Sequence, residues 1–417
     1  MKSLIYKFIT YKKIALSLFV IMIAINSYSQ NSLSPAERKL LIEELKREIL
    51  DSLRSSSNPT LSSVDSTKEV AEKPWKGNLE LSAYVEAYYL YDFNNPENGN
   101  RPSFVYSHNR HNEFNVNLAL IKLNYTAARL RANVAFMAGT YSNANLSSEP
   151  GVLKNIFEAN AGINLSKKKQ LWLDAGIFAS HIGFESAIGK DCWNMTRSIL
   201  ADNSPYYESG IKLSYTSDNG KLFASALILN GWQRIQKVNG NSLPSFGWQI
   251  TGKPSDKILI NSSSFIGTDK ADVARQMRYF HNLYAIFSTT DNFGITLGFD
   301  IGAEQKVKGS TEYNLWYSPV LIARYQPISK LALAARFEYY SDRNGVIIAT
   351  GSPNGFATFG YSLNADVIPF ANAMIRVEGR LFQSRQDEIF EKRNGDFTKL
   401  SPSLGLSFAY SFAHQFK

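Results

Sequence analysis

The sequence predicts an all-β fold: a single transmembrane antiparallel up-and-down β-barrel of about 16 strands, preceded by a short N-terminal amphipathic helix. Three observations carry this. After Asn78, large apolar residues alternate with polar or small ones through most of the chain. Most alternating segments run to ten residues or more, against about five or six for a soluble strand. The connections between them are alternately long and short, the pattern of a membrane barrel with tight turns at one rim and open loops at the other.

The N-terminal residues come first in the justification. Lys2, Lys7, Lys12 and Lys13 precede an apolar run from Ile14 to Ile25, and Ser27-Tyr28-Ser29 offers small residues at cleavage spacing. Residues 1–29 therefore read as a secretory signal peptide, the run being too short for a comfortable helical span. Cleavage before Gln30 removes four Lys and no acid, leaving 41 basic against 36 acidic residues and a net charge of +5. So mild a balance gives no warrant for nucleic-acid binding. Cys192 is the single cysteine, which excludes an intramolecular disulfide and a cysteine-built zinc site.

Residues 30–55 are expected to form the amphipathic helix. Ser34-Pro35-Ala36-Glu37 is a capping box with Pro at the first helical position, and Leu41, Leu45, Ile49 and Leu53 recur on one face. A coiled coil there would join subunits below the membrane, a homotrimer among the options; a single helix is the equal alternative. The Ser-rich stretch 56–77 reads as a flexible linker, and 78–417 as the barrel domain.

Within 78–417 the candidate strands are 79–91, 114–125, 128–140, 155–166, 170–181, 207–216, 220–232 and 246–252. The second half adds 256–267, 278–290, 292–303, 313–325, 330–341, 356–367, 371–383 and 401–413. In the last, Leu404, Leu406, Phe408, Tyr410 and Phe412 share one parity, while Ser403, Gly405, Ser407 and Ala409 share the other. With a side-chain period of two, one face is for lipid and one for an interior. Tyr91, Phe93, Trp232, Trp248, Trp316, Tyr317, Tyr339 and Tyr340 lie near strand ends, where interfacial girdles are expected.

No apolar stretch beyond the signal is long enough for a helical span, so a membrane location requires a closed barrel. An even strand count returns both barrel ends to the short-turn side, expected to be periplasmic, with the helix below it. Sixteen strands enclose an aqueous channel, whereas about eight are filled by their own side chains. The inward parity carries Glu80, Glu86, Arg131, Asp174, Lys212, Arg336, Glu338, Arg376, Glu378 and Arg380, the expected pore lining. Charges are costly toward lipid and tolerated toward water. Their mixed signs argue against strong ion selectivity, and ladders of paired charges across the wall are expected beside the lining role.

The third long loop is the longest and least strand-like. In general porin architecture this loop folds inward and narrows the channel. Its charges Glu185, Lys190, Asp191, Arg197 and Asp202 are the expected constriction over 183–206, with Ile188, Trp193, Met195, Ile199 and Leu200 packing it on the wall. Arg197 is the residue expected to bias ion passage.

Three stretches carry a family likeness: AYVEAYYLYDFNNP, HNEFNVNLALIKL, and GIFASHIGFES with MTRSILADNSPYYESGIKLSY. They resemble the outer-membrane β-barrel porins of the second porin-like barrel family, over roughly residues 78–417. The resemblance implies a passive diffusion channel for small hydrophilic solutes in the bacterial outer membrane. It assigns no site residues.

Other sites weigh less. His108 and His111 stand three apart in a loop, and Asp92 to Gly99 is oxygen-rich, but neither has the ligand set or spacing of a metal site. No phosphate loop, HExxH or GxSxG motif occurs in a suitable context, so no enzyme, metal or cofactor is expected. The alternatives are a binding or adhesion platform built on the long loops and, more remotely, a barrel-based hydrolase using His181 with Ser180 or Ser186. The partners expected are outer-membrane lipid and small hydrophilic solutes.

Overall fold

In a computed structural model, residues 77–416 are described; the signal peptide, helix and most of the linker lie outside them. The first half of the wall comprises β1 (Asn78–Asp92), β2 (Phe114–Thr126), β3 (Leu130–Ala138), β4 (Ile156–Asn164), β5 (Gln170–Ala179), β6 (Tyr207–Thr216), β7 (Leu222–Leu229) and β8 (Ser245–Ser255). The second comprises β9 (Ile258–Gly267), β10 (Arg278–Ser288), β11 (Phe293–Gln305), β12 (Tyr313–Ile328), β13 (Leu331–Asp342), β14 (Phe356–Phe370) and β15 (Ala373–Ser384). After a small hairpin, β16 (Phe390–Glu391) and β17 (Phe397–Thr398), the last wall strand is β18 (Leu400–Phe416). The hairpin, set in the last long loop, is the one strand pair that alternation does not mark. All sixteen expected strands form, with boundaries within three residues of the sequence reading.

Every wall strand is antiparallel to its two neighbours, and β1 closes the barrel by pairing with β18 as well as β2. Closure leaves no unpaired edge, the condition for placing strands in hydrocarbon. No helix of the described residues is long and apolar enough to cross a membrane. The tight turns sit at one rim. In 217–221, Gly220 at φ +67° takes the left-handed position and its N–H bonds Ser217 O at 2.9 Å. At the other rim are the long loops L1 (93–113), L2 (139–155), L3 (180–206), L4 (230–244), L5 (268–277), L6 (306–312), L7 (343–355) and L8 (385–399).

Parity behaves as the pattern demands. Leu404, Leu406, Phe408, Tyr410 and Phe412 are exposed on the outside, while Ser403, Ser407 and Ala409 are buried inside. The interior toward the long-loop rim is not simply wet. Phe104 of L1 packs on inward Phe356 and Phe382 at 4.8 and 5.2 Å between ring centroids, in a cluster with Phe265, Phe280, Trp316 and Tyr340. Trp316 and Tyr340 therefore belong to this internal core, not to an interfacial girdle, because they share the inward parity of Ser318 and Glu338. Trp232 joins them from L4, edge-on to Phe280 at 4.8 Å. Tyr91, Phe93, Trp248 and Tyr317 keep outward, partly or fully exposed faces. Helix α1 (Thr140–Asn145) in L2 sends Tyr141 inward as well, among Leu118, Leu120 and Met137.

Candidate functional site: the inward loop and the lumen it leaves

L3 leaves β5 and turns into the barrel. Its root is clipped by Glu208 of β6, whose Oε1 accepts from Ser180 Oγ at 3.2 Å while Oε2 faces His181 Nδ1 at 2.9 Å. His181 Nε2 donates to Ser264 O of β9 at 2.8 Å. With both ring nitrogens on acceptors, His181 has none free to take a proton from a serine hydroxyl, and Ser180 bonds the carboxylate instead of the imidazole. That geometry gives the hydrolase alternative no nucleophile–base pair here.

The loop then folds on itself. Arg197 is fully buried and donates to Ser186 O at 2.6 Å, Met195 O at 2.7 Å and Ala187 O at 3.1 Å. The expectation that Arg197 presents its charge to passing ions meets a different placement: its guanidinium is the internal staple of L3. Glu185 accepts from the backbone N–H and the hydroxyl of Ser198. Ser198 in turn caps the short helix α2 (Ile199–Asp202) by accepting from Ala201 N at 3.2 Å.

Asp202 of α2 is buried, with Ser107 of L1 donating to it at 3.4 Å. Burial raises its pKa from 3.8 to about 7, the nearby Arg380 and Arg197 charges offsetting only part of that. The folded loop thus prefers the protonated form. Asp202 favours the packed state fully below the ordinary carboxylate range, and that contribution is lost as pH rises through about 7. Hydrogen exchange of the α2 amides, corrected for intrinsic rates, should therefore quicken from about pH 4 to about pH 7 and level off above, and Asp202→Asn should flatten the change. A wild-type profile that is already flat would refute this.

Most of the expected lining residues lie beneath L3. Arg336, Glu338, Arg376, Glu378 and Arg380 are all buried. They pair with one another and with Asp366: Arg336–Glu338 at 3.3 Å, Arg336–Glu378 at 3.2 Å, Arg380–Glu338 at 2.7 Å and Arg376–Asp366 at 2.7 Å. Glu86, fully buried, faces His108 Nε2 of L1 at 3.2 Å and accepts from Asn117 at 3.0 Å, with Gly189 of L3 against it. These six do not face open water, because L1 and L3 cover them. His108 and His111 turn to different neighbours, His111 Nδ1 accepting from Asp92 N at 2.9 Å.

Glu80, Arg131, Asp174 and Lys212 are placed otherwise. They line a cavity of about 880 Å³ toward the short-turn rim, among residues of β1 to β7 and β18. Lys122 and Glu158 join them there, paired at 2.7 Å, and Arg131 holds Asp174 through two N–H bonds while its guanidinium lies 4.3 Å from the Trp172 ring. Among the described residues Lys212 has no carboxylate within ion-pair distance, and it rests 4.4 Å from the Phe178 ring. Lys190 and Asp191, paired at 2.9 Å, are exposed at the foot of L3 beside Lys122 and Asn124. Lys122, Glu158 and Asp366 share the inward parity and were open to the same reasoning; His108, in an aperiodic loop at φ +53°, carries no such signal.

Residues 78–412 match the family described as putative beta-barrel porin-2, OmpL-like. No curated protein matches the chain. Among solved structures, the outer membrane channel DcaP of Acinetobacter baumannii is 12% identical at a TM-score of 0.51, over 84% of this chain and 100% of that one. The anion-selective porin from Comamonas acidovorans is 9% identical at 0.53, over 81% and 100%. OmpT of Vibrio cholerae in its trimer form is 9% identical at 0.50, over 81% and 99%. At such identities the likeness speaks for the fold alone. The family match covers nearly the whole wall, and the chain belongs to that family: it is an outer-membrane porin, a channel for passive diffusion.

Proposed function

We propose that small hydrophilic solutes pass on the β1–β7 side of the lumen, beside L3, and that the stretch 183–206 is the constriction. The observation that supports this most directly is the division of the interior. One side of the wall is covered by L3, while the other borders the 880 Å³ cavity with its charges and amides. Of six charged side chains there, Lys122, Glu158, Arg131 and Asp174 are already paired, so weak ion selectivity is the reading. Glu80, Arg131, Asp174 and Lys212 are the proposed lining, and Lys190 with Asp191 the proposed charges at the narrowing. The short-turn rim is read as periplasmic; a coiled coil of the stretch 30–55, which lies outside the described residues, would join copies, a homotrimer among the options, with a single helix the equal alternative.

Purified protein in planar bilayers should give a steady current, and liposomes containing it should swell in small sugars. Absence of both, from protein that shows heat-modifiable barrel migration, would overturn the channel reading.

A further inference from the structure

The wall holds L3 by its main chain. Arg336 Nη1 donates to Thr196 O at 2.7 Å, and Arg376 donates to Gly189 O and Cys192 O at 2.7 and 2.8 Å. In the other sense, Glu378 accepts from Thr196 N at 2.6 Å, Glu338 from Ile199 N at 2.5 Å and Asn364 from Met195 N at 3.0 Å. All of these act on groups that any peptide carries. Side-chain recognition comes from three inward glycines, where a Cβ would stand 2.7 to 2.9 Å from Phe184 at Gly298, Trp193 at Gly294 and Met195 at Gly405. The Thr196 hydroxyl, shared by Glu378, Arg336 and Arg380, is the one polar side chain of L3 bound there by several partners.

The cradle is also balanced without its occupant. Arg336, Arg376 and Arg380 are paired with Glu338, Glu378 and Asp366 by the contacts above; Glu185 is the one L3 carboxylate within ion-pair distance of them, 3.7 Å from Arg336, and Asp202 stands farther off. Lifting L3 away leaves those ion pairs intact, whereas a cradle that relied on loop charges would be left with buried, unpaired ones. What must be replaced is an alternation of amide donors and acceptors with apolar groups between them. A sugar supplies hydroxyls but no such alternation, and a simple ion supplies neither.

We propose that the lumen face running from β11 through β15 to β18 is a binding site for short apolar peptides, with L3 as its resident occupant. This rests on the channel reading, since a solute must reach the lumen to use it. A tethered segment holds its site at an effective concentration of about millimolar. Free peptide therefore competes poorly with the intact loop, and removing 188–200 uncovers the site.

The probe is the heptapeptide WNMTRSI, residues 193–199 of this chain, added to the 188–200 deletion variant in a planar bilayer. Block of the current is expected, and the same peptide N-methylated at the nitrogens of Met195, Thr196 and Ile199 should need at least about tenfold more, having lost donors to buried acceptors. Equal block by both peptides, or none while current flows, would overturn the proposal. A variant that carries no current would count against the channel reading instead. Binding of the fluorescein-labelled peptide pair to that variant in detergent then decides the site, by the same tenfold criterion. If the deletion does not fold, the full chain serves. Millimolar heptapeptide should speed maleimide labelling of Cys192, the only cysteine, which is buried under the seated loop. The methylated peptide should not, and no acceleration by either refutes the proposal.

Discussion

Deletion of residues 188–200 is expected to raise the single-channel conductance severalfold. The segment contains the parts of L3 that reach the far wall: Trp193 against Gly294, Met195 against Gly405, and the backbone groups held by Arg336, Glu338, Arg376 and Glu378. A wall of sixteen strands is wide enough for an aqueous channel when nothing fills it. With the segment gone, the paired wall charges face water, which they tolerate better than burial. The barrel itself should persist, because its hydrogen bonds run strand to strand and none of the wall pairs uses L3. Lys308→Glu in L6 is the control; its ammonium bonds Asp272 O in L5, among the outer loops, and should leave conductance unchanged. A deletion variant that inserts normally and conducts like the parent would place the narrowing elsewhere. The cavity side chains Arg131, Asp174 and Lys212 would then be the next to alter.

The second large effect is on stability. Arg336→Met should lower the midpoint of heat-modifiable gel migration markedly. Arg336 is fully enclosed and serves Glu338, Glu378, Thr196 O and the Thr196 hydroxyl at once. Removing one partner of such a buried cluster strands the others, at a cost of roughly 3–5 kcal/mol. The double variant Arg336→Met with Glu378→Gln should recover part of the loss, since one stranded carboxylate becomes neutral. Two single losses that simply add would argue that these residues do not act as one network. The native thiol offers a local readout. Burial pushes Cys192 up to about 11, so it should be inert to alkylation while L3 is seated and react once Arg336 is lost.

How far the sequence carried is best seen in β18. Its alternation of Leu404, Leu406, Phe408 and Tyr410 with Ser403, Gly405 and Ser407 was enough to assign one side to lipid and one to an interior. So were the other fifteen strands, because lipid imposes a period of two on every crossing segment and the rule is local. The inward loop was legible too, from its length, position and apolar residues. What alternation could not say is what stands opposite an inward residue. Gly405 and Gly294 read as small groups facing water, and the fold makes them sockets for Met195 and Trp193. Arg197 read as a charge for passing ions, yet three carbonyls of its own loop enclose it. Arg376 sits on a wall strand, but the carbonyls it binds, Gly189 and Cys192, are more than 180 residues away in sequence. The wall, its membrane faces and its family were thus determined by the sequence alone, through short-range periodicity. The division of the lumen into a covered side and an open side was decided only by tertiary structure, because it depends on which distant loop segments meet which inward residues.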